Sequence, residues 1–126
     1  MQINVVSFGY LHGTAPEAHL TVDLRHHFRD PHVSPELRYL TAGDQVVRDT
    51  VMATPGITTV IAGIHTAILG YRLGPSSPGE ITVAIGCAGG RHRAATVAMA
   101  VAEQYETGGD SVTLTHRDLA KDVVQR

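Results

Sequence analysis

Cysteine and long apolar runs are both scarce in this chain, and each scarcity excludes a class of protein. One cysteine among 126 residues excludes an internal disulfide framework and makes the cytoplasm the expected location. No apolar run reaches the roughly 18 residues of a membrane span, and Met1 does not open a charged leader followed by an apolar stretch. We therefore expect a cytoplasmic protein with no membrane partner.

An excess of positive charge is also missing. Ten basic residues against 12 acidic residues give a formal net charge of −2 with neutral histidines, which argues against indiscriminate wrapping of nucleic acid. That balance still permits a local basic patch. With 43% hydrophobic and 17% charged residues, the composition is that of one globular domain, which we expect to span residues 1–126.

Two nucleotide-binding fingerprints are absent, and no metal-ligand spacing is found. The sequence contains neither a Gly-x-Gly-x-x-Gly turn nor a Gly-x4-Gly-Lys-Ser/Thr loop, so a nicotinamide enzyme or a Walker-type ATPase is unsupported. Five histidines lie between His12 and His32, but adjacent His26 and His27 point to opposite sides of an extended chain. No cysteine or paired carboxylates join them, so we expect neither a metal nor a cofactor.

The most informative segment runs from a predicted strand through a glycine-rich turn into a helix. The apolar run Ile81–Ile85 predicts a buried strand, the turn covers Gly86–Gly90, and the helix is predicted from His92 to about Glu106. Glycines let backbone N–H groups converge, the helix start adds unpaired N–H groups and a positive dipole end, and Arg91 and Arg93 add charge. Phosphate is the group that fits this turn best.

The rest of the pattern predicts an α/β fold around that unit. Further strands are predicted at Ile3–Phe8, Leu20–Leu24 and Val112–Thr115, and helices at Thr41–Ala53 and Ile57–Tyr71. Thr41 and Asp44 resemble a capping box, and residues 116–126 form a polar tail with some helical character. We expect a mostly parallel sheet of about four strands with flanking helices, in which the irregular segment Arg25–Leu40 is a candidate functional loop.

A cysteine-dependent phosphatase is a second interpretation of the glycine turn. Cys87 and Arg93 have the Cys-x5-Arg spacing of such enzymes, in which a thiolate attacks phosphorus and an aspartate, here Asp30, protonates the leaving group. Ala94 stands where these enzymes usually carry a serine or threonine that assists breakdown of the intermediate. We therefore favour Cys87 as an inert residue at the end of a strand and expect no catalytic activity.

Four sequence blocks resemble those of a known family. They are Ser7-Phe-Gly-Tyr10, Asp23-Leu-Arg25, Pro35-Glu-Leu-Arg38 with Thr41-Ala-Gly-Asp44, and above all Thr82-Val-Ala-Ile-Gly-Cys-Ala-Gly-Gly-Arg-His-Arg93. From about residue 2 to about residue 121, the chain resembles the C-terminal domain of the RNase adapter protein RapZ and its relatives. The kinase-like nucleotide domain that precedes this domain in the family, with its Walker motifs, has no counterpart here, so ATP binding is not implied.

The resemblance implies a fold like part of phosphofructokinase, self-association into a homo-oligomer, binding of small regulatory RNA, and sensing of a phosphosugar such as glucosamine 6-phosphate. The family's turn usually continues Lys-His-Arg-Ser, where this chain has Arg91-His92-Arg93-Ala94 and so keeps the charge. The family's RNA-binding members end in a lysine- and arginine-rich tail. Here Asp118 and Asp122 offset much of the tail's positive charge, which weakens the expectation of RNA binding.

We therefore expect a regulatory domain that binds a phosphorylated metabolite, either a phosphosugar or a nucleotide phosphate. The expected contacts are Ser7, Arg25, Gly89, Gly90, Arg91, His92 and Arg93. Among them, His92 is expected to donate a hydrogen bond to the oxyanion, and binding is expected to raise the pKa of its imidazole. The first alternative is an RNA-binding adapter that uses Arg91, Arg93, Arg117 and Lys121, and the second is the phosphatase with Cys87, Arg93 and Asp30.

Overall fold

Four parallel strands form one sheet in the order β2-β3-β1-β4 in the computed structural model, which describes residues 1–125. The strands are β1 (Gln2–Gly9), β2 (Leu20–Asp23), β3 (Glu80–Cys87) and β4 (Ser111–His116). At the carboxyl ends of the strands, Gly9 lies opposite Cys87 and Ser7 lies opposite His116. Because all four strands run in the same direction, these ends meet at one edge of the sheet, where parallel sheets bind their ligands.

Three α-helices pack against one face of the sheet. They are α1 (Gln45–Met52), α2 (Ile57–Leu73) and α3 (Arg93–Thr107), and single 3-10 turns occur at Tyr10–His12 and Pro31–Val33. The core lies between the helices and the sheet: Ile3, Val5, Ile81, Val83 and Ile85 from the strands meet Ile57, Ile61, Ile64 and Ile68 of α2. Alanines at positions 94, 95, 98 and 102 are buried on α3, and their small side chains let that helix approach the sheet closely.

The other face of the sheet is polar over its amino-terminal half. The Gln2 amide donates to Thr113 Oγ1 at 3.0 Å, and the Asn4 amide donates to Glu80 Oε1 at 2.8 Å. Towards the carboxyl edge this face becomes aromatic, because Phe8 and Tyr10 pack over Gly86. We refer to this side, which lies opposite the helices, as the open face.

The predicted α/β class and parallel sheet are confirmed, and three local predictions are corrected. The first helix begins at Gln45 and not at Thr41: the Asp44 carboxylate accepts the Thr41 N–H at 2.9 Å as predicted, but Asp44 N–H also donates to Thr41 O at 2.8 Å and closes a turn. Strand β3 continues through Cys87, so the turn covers residues 88–92. Residues 117–121 form bends and one turn, and residues 122–125 have no regular secondary structure, so the predicted helical character is wrong there. Arg126 lies outside the described residues.

No single helix within residues 1–125 has the length and hydropathy needed to cross a membrane. Helices α1 and α2 meet that criterion only when taken together, as a pair bent by 83°.

Candidate oxyanion-binding site

The loop between β3 and α3, residues Ala88–His92, packs directly against the end of β1. We call it the glycine loop. A Cβ atom placed on Gly9 would lie 2.3 Å from the carbonyl carbon of Gly89, and one placed on Gly90 would lie 2.8 Å from Gly9 N. Gly90 also has a φ of 78°, which L-residues with side chains rarely adopt. These glycines therefore allow contact between the two backbones.

Backbone donors cluster in the glycine loop and the first turn of α3. The N–H groups of Gly90 and Ala94 donate to Cys87 Sγ at 3.3 Å and 3.4 Å. Those of Gly89, Arg91, His92 and Arg93 donate to no protein group among residues 1–125. Buried N–H groups are nearly always paired with protein, water or an ion. Unpaired donors at the positive end of a 15-residue helix are a favourable environment for an oxyanion.

Arg93 holds the loop that follows β2. Its side chain is 2% exposed, and Nη1 donates to the carbonyl oxygens of Leu24 and Arg25 at 3.0 Å and of Phe28 at 3.1 Å. Nη2 lies 3.1 Å from the Asp30 carboxylate. The guanidinium is therefore engaged with residues 24–30, while its Nε is buried without a partner in the described chain.

Arg91 connects two further segments to the glycine loop. Nη1 donates to the carbonyl oxygen of Lys121 and Nη2 to that of Tyr39, each at 2.7 Å. Its Nε, like that of Arg93, is buried without a partner among the described residues. Both arginines thus use their terminal nitrogens to position the surrounding chain and leave one inner donor unused.

His92 is a buried, neutral anchor. Its Nε2 lies 3.0 Å from Leu37 O and 2.8 Å from Leu40 O, so this nitrogen carries the proton and donates. Burial lowers the pKa of the ring, and this effect exceeds the opposing influence of the two carbonyl contacts and of Asp30. We predicted that His92 donates to the oxyanion. Its side-chain Nε2 instead contacts the carbonyl oxygens of Leu37 and Leu40, whereas its backbone N–H donates to no group among residues 1–125.

Ser7 and Arg25, the other two predicted contacts, lie on opposite sides of the sheet. Ser7 is fully buried on the helix side, and its Oγ lies 2.6 Å from His116 Nδ1. Arg25 lies on the open face, where its guanidinium pairs with Asp23 and covers Tyr10. Residues 89–93 therefore lie together in one site, whereas the Ser7 and Arg25 side chains lie on opposite sides of the sheet and apart from each other.

Asp118 also belongs to the site, although its place there was not predicted from the sequence. The side chain is fully buried, and Oδ2 accepts the Gly9 N–H at 2.7 Å and contacts the Arg117 guanidinium, while Oδ1 lies 2.7 Å from Lys121 Nζ. Burial raises the pKa of this carboxyl, but hydrogen bonds from Arg117, Gly9 and Lys121 bring it down to about 2. The sequence signal was an aspartate flanked by cations at i−1 and i+3.

The three arginines and one lysine that were predicted as possible RNA contacts all bond to other parts of the chain. Besides Arg91 and Arg93, Arg117 donates to Thr14 O at 2.6 Å and to Gly9 O at 3.2 Å, and Lys121 pairs with Asp118. They surround the glycine loop and do not line one exposed stripe. Two carboxylates, Asp30 and Asp118, oppose these four cations, so the groups around the loop carry net positive charge although the whole chain is negative.

The residues of the phosphatase interpretation are placed close together but are already engaged. Cys87 is 2% exposed, and Arg93 is paired with Asp30, the proposed acid. The terminal nitrogens of Arg93 are bonded to residues 24–30, so the arginine does not present them to a phosphate as such an enzyme requires, and the ion pair occupies the carboxylate of the proposed acid. Within residues 1–125, no three His, Cys, Asp or Glu side chains are grouped so that they could hold a metal ion.

The fold and this site define a parallel α/β domain with a glycine-rich loop between a strand and a helix. The model of the RapZ C-terminal domain family matches residues 1–120, and the chain belongs to that family. It is 36% identical over 124 residues to a nucleotide-binding protein of Thermobifida fusca, covering 97% of this chain and 42% of that protein.

Two further relatives show the same extent of similarity. A nucleotide-binding protein of Heliobacterium modesticaldum is 34% identical over 125 residues (97% of this chain, 41% of that protein), and one of Sphingopyxis alaskensis is 37% identical over 119 residues (93% and 37%). The chain thus spans about two fifths of the length of the curated relatives it matches.

Proposed function

We propose that this domain binds a phosphorylated metabolite through the backbone N–H groups of the glycine loop and acts as a regulatory sensor of that metabolite. The observation that carries the proposal is the group of unpaired donors. These are the amides of Gly89, Arg91, His92 and Arg93, together with the buried Nε atoms of Arg91 and Arg93. An oxyanion could pair with several of these donors at once, as phosphate does at the start of a helix.

The arginines contribute in two ways. Both guanidinium groups belong to residues at the end of the glycine loop and the start of α3. Arg93 is paired with Asp30, so the net positive charge comes from Arg91, which has no carboxylate partner among residues 1–125, and burial strengthens its attraction for an anion relative to water. Their terminal nitrogens also hold residues 24–30, 39 and 121 in place, so the loop is ordered before the ligand arrives. Both contributions favour an anionic ligand. A phosphosugar and a nucleotide phosphate each fit, and the relatives described above are named nucleotide-binding proteins.

A thermal-shift panel tests the proposal. The panel holds inorganic phosphate, sulfate, glucosamine 6-phosphate and AMP, with glucosamine and adenosine as controls without phosphate. A ligand at about one hundred times its dissociation constant adds about 2.7 kcal/mol to the free energy of unfolding, which raises the melting temperature by several degrees. Phosphorylated members should shift the melting temperature, and their controls should shift it less. Absence of any shift across the panel would contradict the proposal.

A pair of arginine variants localises the binding. Arg91→Gln removes one charge at the loop, whereas Arg72→Gln removes one charge at the opposite edge of the sheet, where Arg72 pairs with Asp110. We expect Arg91→Gln to weaken binding of glucosamine 6-phosphate or AMP about tenfold or more, since a hydrogen bond to a charged group contributes about 1.5–3 kcal/mol. Arg72→Gln should leave it unchanged. Equal weakening by both would indicate general charge attraction and not a site.

A further inference from the structure

The Arg25 guanidinium lies over the ring of Tyr10 on the open face. Its Cζ lies 3.6 Å from the ring centroid, which is the separation of stacked planes. The Asp23 carboxylate fixes its orientation, since Nε donates to Oδ1 at 3.0 Å and Nη2 donates to Oδ2 at 2.7 Å. The Arg25 backbone N–H also donates to Oδ1 at 2.9 Å. We call Asp23, Arg25 and Tyr10 the Arg25 shelf.

The support beneath this shelf is rigid. The Tyr10 ring packs edge-to-face on Phe8 with centroids 4.7 Å apart, and Phe8 is fully buried. The Tyr10 ring also occupies the space that a side chain at position 86 would need, because a Cβ on Gly86 would lie 2.6 Å from Tyr10 Cε2. The guanidinium therefore rests on a stack that begins in the sheet, and it is ordered before any ligand binds.

The outer surface of the shelf faces solvent. The Arg25 side chain is 35% exposed, although Tyr10 covers one face of the guanidinium and Asp23 covers one edge. Nη1 has no hydrogen-bond partner among residues 1–125. Because Asp23 balances its charge, Arg25 is a weak phosphate clamp. A flat, fixed and charge-balanced guanidinium is suited to stacking with another planar group, as nucleobases stack on arginine planes.

The shelf adjoins the glycine loop and the start of α3 through two contacts. The carbonyl oxygen of Arg25 accepts a hydrogen bond from Arg93 Nη1 at 3.0 Å, and Leu11 N–H, next to Tyr10, donates to Ala88 O at 3.0 Å. The two segments are therefore neighbours at the carboxyl edge of the sheet, and a ligand with both a phosphate and a planar base would have a partner for each part. We infer that the Arg25 shelf stacks the nucleobase of a nucleotide whose phosphate is bound by the glycine loop. Only the phosphate contact in this inference rests on the proposed function, since the stacking of the base is argued from the Arg25 shelf itself.

Calorimetric titrations with AMP and ribose 5-phosphate test the inference, since these ligands share the phosphate and differ by the base. The wild-type protein should bind AMP about tenfold or more tightly than ribose 5-phosphate, in line with the stacking of a base on a protein side chain. Arg25→Lys keeps the charge but removes the planar guanidinium. The ratio of the affinity for AMP to that for ribose 5-phosphate should therefore fall to about one, while the affinity for ribose 5-phosphate stays unchanged. The matched control is Arg29→Lys, an exposed position in the same loop, which should keep the ratio.

The outcomes separate the two proposals. A ratio near one in the wild type, or a ratio that survives Arg25→Lys, overturns the shelf while leaving phosphate binding intact. A third outcome is that adenosine binds, ribose 5-phosphate does not, and Arg25→Lys abolishes adenosine binding. That result would support base stacking on Arg25 and contradict phosphate binding by the glycine loop. If none of these ligands binds, the affinity for a single-stranded oligouridylate is compared with that for its abasic counterpart, to test whether the base that stacks on Arg25 belongs to RNA. Tighter binding of the oligouridylate, lost in Arg25→Lys, supports RNA, and equal or absent binding overturns the inference.

Discussion

At the scale of single residues, Gly90 shows most directly why the glycine loop needs its sequence. Its φ of 78° and the 2.8 Å that separates a Cβ at this position from Gly9 N are two independent obstacles to a side chain. Gly109 presents only the first obstacle, because its φ is 87° and nothing lies within 4 Å of its Cβ position. The pair therefore separates backbone strain from steric exclusion.

We predict that Gly109→Ala lowers the free energy of unfolding by about 1–2 kcal/mol, the cost of placing an L-residue in the left-handed region. Gly90→Ala should cost roughly 1–3 kcal/mol more, since the loop must also move away from β1. Urea denaturation of the two variants measures the difference. Equal losses would show that the loop does not press on Gly9 in solution.

The sequence predicted a glycine-rich turn between β3 and α3, although two residues too early, but not which groups its side chains contact. The spacing of glycines between a strand and a helix predicts a candidate anion-binding backbone, because both requirements are local. The direction of the Arg93 side chain is not local. Its carbonyl partners at Leu24, Arg25 and Phe28 lie 65 or more residues away in the chain. The burial of Asp118 against Gly9 was unpredictable for the same reason.

At the scale of elements, α3 organises the carboxyl edge of the sheet through its first residue. Arg93 forms the first turn of α3, and its guanidinium bonds the three carbonyl oxygens and the carboxylate that hold residues 24–30. A lysine at this position would keep the charge but could not reach these partners with a planar fork. The segment that carries Arg25 therefore depends on the start of a distant helix.

We predict that Arg93→Lys lowers the free energy of unfolding by roughly 2 kcal/mol or more, because hydrogen bonds to a charged, buried group are lost. Amide hydrogen exchange should accelerate in residues 24–30 beyond what the global loss accounts for. Arg48→Lys is the matched control, since Arg48 bonds one carbonyl and one side-chain oxygen within its own neighbourhood. Unchanged exchange in residues 24–30 of Arg93→Lys would contradict the role given to Arg93.

The elements themselves were largely readable from the sequence. Ile57, Ile61, Ile64 and Ile68 recur at helical spacing and are all buried in α2, as that periodicity requires. The start of α1 was misplaced because a Thr-x-x-Asp pattern fits a turn as well as a capping box, and here Asp44 N–H closes the turn on Thr41. The tail after β4 was misread because Asp118 is drawn into the loop contact with Gly9, which no local pattern reveals.

At the scale of the whole molecule, three buried or half-buried histidines make stability depend on pH. Burial lowers the pKa of His65, His92 and His116 below the ordinary value of about 6.5. The unfolded chain therefore binds protons at these residues before the folded chain does. Their contribution to stability is fully present above about pH 6.5 and is lost as the pH falls through the lowered folded values.

We predict that the free energy of unfolding, measured by urea denaturation, decreases from pH 7.5 to pH 5.5. Asp118, with a pKa of about 2, does not contribute in this interval, because its stabilisation is lost only below the ordinary aspartate value of about 3.9. A His65→Asn variant should show a smaller decrease than the wild type. Constant or rising stability towards pH 5.5 would show that these rings are not held neutral by burial.

Amide chemical shifts report residue by residue whether the backbone of the glycine loop binds an oxyanion, as we propose. Inorganic phosphate is titrated into the 15N-labelled protein at constant ionic strength, with chloride as the reference anion. We predict saturable shifts of the Gly89, Arg91, His92 and Arg93 amides, whereas Gly79 and Gly109, in loops at the opposite edge of the sheet, remain in place. Unshifted loop amides at saturating phosphate, or shifts spread evenly over the surface, would contradict the account.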